Sequence, residues 1–282
     1  MPVSLEVPIA TLGVPRIGRR RELKFALESY WSEKSTAADL LETARKLRAA
    51  SWIEQRDHGI TKIPSNDFSL YDHVLDTAVM VGAVPAGYGW DGGEVPLDTY
   101  FAMARGSRSE VAACGHAGHG HGQTALEMTK WFDTNYHYMV PELCDRQAFA
   151  LSSTKPIDHF LEARSLGIHT RPVILGPVTF LKLAKSPDEG FDPVTLLPKL
   201  LPVYEDLLVR LFRAGADWVQ IDEPALVLDL VPNERDAFRF AYERLSKAAP
   251  ELKLMLATYF GALGDNLETA LSLPVSGLHV DL

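Results

Sequence analysis

Residues 127–143, EMTKWFDTNYHYMVPEL, combine Lys130, Trp131, Asp133, Asn135, Tyr136, His137, Tyr138 and Glu142 in one stretch. Flat aromatic surface beside placed donors and acceptors is what a ligand pocket requires. An aromatic-rich strand end whose polar tips find local partners would read the same way, and composition leaves the two open. A second candidate is the basic run Arg19-Arg20-Arg21-Glu22-Leu23-Lys24. Leu23, Leu27 and Tyr30 recur at helical spacing after it, which puts Arg21 and Lys24 in the first turn or two. Cations there oppose the helix macrodipole, so either an anion is bound on the free N–H groups or the turn is simply solvated. A third group is Cys114, His116, His119 and His121 among Gly115, Gly118, Gly120 and Gly122. Its spacing is not a paired zinc motif, and its glycines would lose much entropy around an ion, so a flexible loop is expected. Asp222, Glu223 and His137 are candidate acid–base groups, but no spacing among them specifies chemistry.

These residues need elements to hold them. Residues 8–18 read as a short strand breaking into Gly13, Pro15 and Gly18, followed by a helix through Trp31. Ser35-Thr36 with Asp39 reads as a helix cap, and Leu40, Leu41, Ala44 and Leu47 supply the 3.6 period. Further helices are expected over 71–81, 156–166, 196–214, 234–248 and 266–272. Strands are expected near 9–13, 60–63, 136–140, 173–175, 218–222, 253–258 and 277–281. Strand then helix, with polar residues at each strand's carboxyl end, is the rhythm of parallel βαβ units. The glycine-rich segment 85–93 lacks the spacing and flanking strand of a dinucleotide fingerprint.

The 282 residues suit a single α/β barrel. Hydrophobic residues make up 46% and charged residues 23%, as in a globular chain with a sizeable core. The net charge of −9 argues against nucleic acid as the main partner, and any anionic ligand needs a local basic cluster. Two cysteines are too few for a disulfide framework, and no apolar run approaches a membrane span, so a cytoplasmic protein is expected. A barrel of this type takes eight strands, and about seven are countable before the chain stops at Leu282. The expectation is α/β, a (βα)8 TIM-like barrel truncated after about the seventh strand, and therefore a fragment.

TLGVPRIGRRRELKFALESYW, EMTKWFDTNYHYMVPEL, ILGPVTFLKL, VQIDEPAL and GLHVDL, in this order, resemble the N-terminal half of cobalamin-independent methionine synthases. The resemblance covers essentially all of 1–282, apart from the Gly/His tract. It implies a methyltransferase of two (βα)8 barrels that passes a methyl group from 5-methyltetrahydrofolate polyglutamate to homocysteine in methionine biosynthesis. It also implies that the zinc, its ligands and the homocysteine pocket lie in a C-terminal catalytic barrel absent from this sequence. No metal site is then expected here, and the isolated segment is expected to be inactive. The family's RELK element matches Arg21, Glu22, Leu23 and Lys24, and the lysine of its EMTKW element matches Lys130. Both are implied to contact the folate tail, with Arg16 a less direct candidate. A scaffold barrel that only steadies the catalytic half is the alternative reading.

Overall fold

The computed structural model describes residues 7–107 and 123–281. The tract holding Cys114, His116, His119 and His121 lies outside them. α1 (Glu22–Trp31) and α2 (Ala37–Asp57) form a pair, closed by Leu23, Leu27, Leu40 and Ala44. The expected cap is present: Thr36 Oγ1 accepts from Asp39 N–H, and Asp39 Oδ2 accepts from Thr36 N–H. After β1 (Ile63–Ser65), the Asp72 carboxylate starts α3 (His73–Met80) by accepting from Val74 and Leu75 N–H at 2.8 and 2.9 Å. α4 (Leu97–Arg105) follows, then a hairpin of β2 (Met128–Lys130) and β3 (His137–Met139).

The rest alternates strand and helix, with two helices in one of the crossovers. α5 (Lys155–Ser165) leads to β4 (Thr170–Leu175), α6 (Pro177–Leu183) and α7 (Leu197–Arg213). β5 (Trp218–Asp222), α8 (Pro232–Ala248), β6 (Lys253–Ala257), α9 (Leu267–Ser272) and β7 (Gly277–His279) complete it. The strands make one parallel sheet in the order β1-β4-β5-β6-β7. β4 is buried along its whole length, as a parallel strand covered on both faces must be. α7 buries Leu200, Leu201, Tyr204, Leu207, Leu208 and Leu211, and Pro202 sits inside this continuous helix.

Three expectations about elements are corrected. The strand expected at 136–140 is not a member of the parallel sheet. Residues 137–139 pair antiparallel with 128–130, because the short turn between them leaves no room for a crossover. Residues 9–13 contribute a single bridge, Ala10 to Lys62, since Gly13 and Pro15 interrupt the chain before a ladder can extend. Two helices were not foreseen, α4 and α6. Gly176-Pro177 reads as a strand stop, but proline at the first helical position also starts α6. The fold is α/β with a mostly parallel sheet of five strands, which does not close among the described residues. Among those residues no helix is long and apolar enough to cross a membrane.

Candidate functional site

Parallel strands place their carboxyl ends on one side of a sheet, and a hollow opens there. It is a cavity of about 820 Å³. Its floor comes from Asn66 and Asp67 after β1, from Val173–Leu175 in β4, from Asp222 at the end of β5, and from Tyr259 and Phe260 after β6. Trp131 and Tyr136 from the hairpin turn and His73, Asp76 and Lys155 from α3 and α5 form the walls, while Leu12 to Ile17 lie across the mouth. Trp131 is the hub of the aromatic wall. Its ring meets His73 edge-on at 4.4 Å, Phe132 at 5.0 Å, Tyr138 at 5.8 Å and Phe260 at 6.1 Å. The hairpin is fastened to α3 by the same Asp72 that caps it, through Met139 N–H at 3.1 Å.

The carboxylates divide into paired and unpaired. Asp76 is ion-paired with Lys155 at 2.9 Å and accepts from the Tyr100 hydroxyl at 2.8 Å. Lys155 spends its other donors on Asn66 Oδ1 and Phe68 O. Asp67 accepts only Val14 N–H, at 3.3 Å, and Asp222 accepts from Gln220 Nε2 and the Tyr259 hydroxyl. Burial pushes both acids up to about 6, against the weaker pull of those hydrogen bonds. Arg171, behind Asp222, donates to Gln220 Oε1 at 2.7 Å and Thr11 O at 2.9 Å. Burial holds His73 down at about 4, so its ring is neutral near pH 7.

Asp222 and Glu223 do not act together. Successive strand-end residues point to opposite sides, so Glu223 is buried away from the cavity. There it accepts from Val178 and Thr179 N–H at 3.3 and 2.7 Å at the start of α6, with the Tyr242 hydroxyl at 3.5 Å. Burial raises its carboxyl to about 7. His137 is exposed on β3. The acid–base group suggested by the sequence is thus split three ways.

Among the residues matching the folate-tail motifs, Arg16 alone lines the large cavity, and its guanidinium donates to Tyr71 O. Arg21 is the N-cap of α1, in the left-handed conformation at φ 62°, and is exposed. Glu22 folds back onto its own N–H and that of Arg20, the latter at 2.9 Å from Oε2, and these together hold its carboxyl below the usual range. The Leu23 side chain belongs to the α1–α2 core, and its N–H donates to Ile17 O, so neither faces solvent chemistry. Lys24 is exposed and lies 3.6 Å from Glu28. Lys130 is exposed at the end of β2, next to the cavity's Trp131. Arg16 and Glu22 also border a second hollow of about 580 Å³ between residues 14–19 and α2.

Sequence reasoning passed over Asp67, His73 and Lys155. The polar loop after β1 marked the place of Asp67, whereas nothing local marked Lys155, whose role depends on α3. Cys144, Asp145 and Asp188 place a thiol and two carboxylates with ligand atoms within 4.8 Å of one another, outside the cavity lining. Asp188 already accepts Asp145 N–H, and Asp145 lies 3.7 Å from Arg146. Both carboxylates are exposed, and Cys144 is half-buried.

The chain is 78% identical over 279 residues to a 5-methyltetrahydropteroyltriglutamate–homocysteine methyltransferase of Mesorhizobium japonicum, covering 97% of this chain and 36% of that one. It is 64% identical to the enzyme of the same name from Caulobacter vibrioides, covering 99% and 37%. The chain therefore spans little more than a third of the length of these curated relatives. A crystal structure of a putative vitamin-B12-independent methionine synthase from Listeria monocytogenes shares the fold, with a TM-score of 0.59 at 11% identity over 96% of this chain and 72% of that one. The family model described as the N-terminal domain of cobalamin-independent synthase matches residues 9–282, and the chain belongs to that family.

Proposed function

We propose that this chain is the N-terminal part of a 5-methyltetrahydropteroyltriglutamate–homocysteine methyltransferase. Its parallel sheet belongs to a (βα)8 barrel, and it holds the folate's polyglutamate tail. The homocysteine thiolate and its zinc are assigned to the C-terminal catalytic barrel, and the whole enzyme to the cytoplasm. Arg21, Lys24 and Lys130 supply cations to the tail, with Arg16 at the cavity mouth. Glu22 and Leu23 contribute by fixing the turn, Glu22 through its carboxylate on Arg20 N–H and Leu23 by packing in the α1–α2 core.

The observation that supports this is the start of α1. With Arg21 in the left-handed region, the Lys24 N–H has no protein partner among the described residues, while the Glu22 carboxylate folds onto its own N–H and that of Arg20. A free amide at a helix N-terminus beside exposed Arg20, Arg21 and Lys24 suits a chain of carboxylates. The acidic cavity floor repels such a tail, so it runs along the rim and not into the hollow. In the full-length enzyme, Arg21→Ala or Lys130→Ala should weaken the triglutamate substrate much more than a monoglutamate analogue. Each shielded charge-assisted bond contributes roughly 1.5–3 kcal/mol. Equal losses for both substrates would leave only the scaffold role.

A further inference from the structure

The cavity at the carboxyl ends of β1, β4, β5 and β6 is lined by three carboxylates, Asp67, Asp76 and Asp222, against the cations Arg16 and Lys155. Two acids on its floor, Asp67 and Asp222, have no cation within ion-pairing distance among the described residues. Lys155 is paired with Asp76, and Arg171 and Arg16 donate to neutral oxygens of Gln220, Thr11 and Tyr71, so Arg171 acts on both acids only from a distance and not in contact. His73 adds no charge, and its Nε2 is shielded from solvent with no hydrogen-bond partner. A buried donor or acceptor left this way is costly unless a ligand or an ordered water meets it. The aromatic wall of Trp131 and Phe260 faces the same space.

We propose that this cavity is a binding site for a small planar organic cation of the amidinium or guanidinium type. Its N–H fork pairs with Asp222 and Asp67, and its flat face lies against Trp131. The fork matches a carboxylate in two parallel hydrogen bonds, and an aromatic face attracts the same charge. Neither acid has saturated its oxygens: Asp67 accepts one backbone N–H, and Asp222 one amide and one hydroxyl. A cavity of about 820 Å³ lies within the range that encloses a small molecule. Burial raises both acids and the distant pull of Arg171 does not offset it, whereas a cation in contact would lower them again.

The test compares three ligands of one shape on the 282-residue chain: benzamidine, benzamide and benzoate, by calorimetry and tryptophan fluorescence. Saturable benzamidine binding is expected, with benzamide weaker and benzoate not bound. Asp222→Asn and Asp67→Asn should each weaken benzamidine by about tenfold or more, the effect of one lost charge-assisted bond. Circular dichroism checks that the variants fold, and the three-ligand comparison stands without them. The proposal is overturned by no saturable benzamidine binding, by benzoate binding as tightly, or by folded Asn variants that bind benzamidine unchanged. Failure of the polyglutamate assignment, read on Arg21 and Lys130, leaves this result untouched.

Discussion

Replacing Gly176 by alanine should cost more than any backbone argument suggests. Gly176 has φ −72° and ψ 149°, which any residue adopts, so the penalty is purely steric. An added Cβ would sit 2.0 Å from Glu223 Cδ and 2.2 Å from its Oε1, where ordinary carbon contacts need about 3.5–4.0 Å. Glu223 must therefore withdraw by more than an ångström, which breaks its 2.7 Å bond from Thr179 N–H at the start of α6. Overpacking costs about 1–3 kcal/mol and a lost hydrogen bond to a charged group about 1.5–3 kcal/mol. Together they predict a loss of about 3–5 kcal/mol. For a chain this long that lowers Tm by on the order of 10 °C. Urea and thermal melts of Gly176→Ala, Glu223→Ala and the double variant make the cycle. The double variant should be no less stable than Glu223→Ala alone, a coupling of about 3 kcal/mol. Strict additivity, or a Gly176→Ala loss below about 1 kcal/mol, would refute the reasoning.

Other outcomes are open to direct measurement. Asp67, Asp72, Asp222 and Glu223 all have carboxyls raised by burial, to between about 6 and about 7. Between the unfolded carboxyl pKa of about 4 and these values the four acids hold protons that the unfolded chain has lost, which outweighs the opposite effect of the buried His73 and His159, so stability falls as pH rises from 4 to 7. Urea midpoints should follow that slope, and Glu223→Gln should flatten it; a midpoint that rises with pH over this range contradicts the assignment. Asp72→Ala removes the acceptor for three N–H groups and should cost about 2–4 kcal/mol, with the Trp131 emission changing as the hairpin loosens. Arg244→Ala breaks a two-bond contact between α8 and Glu205 of α7, partly exposed, and should cost about 1 kcal/mol or less in a denaturant melt. The isolated 282 residues should transfer no methyl group with or without zinc, and turnover by folded chain would overturn that.

What the sequence made legible follows from how local each signal is. The Thr36–Asp39 cap, the buried run Val173–Leu175 and the polar break after Ile221 are written in a few consecutive residues, and each appears where expected. The hairpin is different. Met128 and Lys130 are exposed with Thr129 half-buried between them, the turn is not Asn-Gly, and Phe132 takes φ 50° against its usual preference. Only the partner strand makes residues 137–139 antiparallel. The basic start of α1 was visible as charge, yet its free amide needed the conformation of Arg21. The cavity was less visible still. Asp67, His73, Asp222 and Trp131 come from four separate segments, and their unpaired state is a property of what does not stand beside them.

The adjacent pair Asp222 and Glu223 works as a key for the alignment of β5. The shorter acid stops in the solvent-connected hollow, and the longer one reaches two amides of α6 on the far side. Sliding β5 by one residue against β4 and β6 would put every side chain on the wrong face. It would also strand Glu223 in the hollow and leave the α6 amides without an acceptor. An insertion or deletion of one residue between Gly215 and Asp222 is therefore not absorbed by a shift of the strand. The chain can tolerate new lengths in the loops beyond Pro224, but the distance from the end of α7 to this pair of acids is fixed.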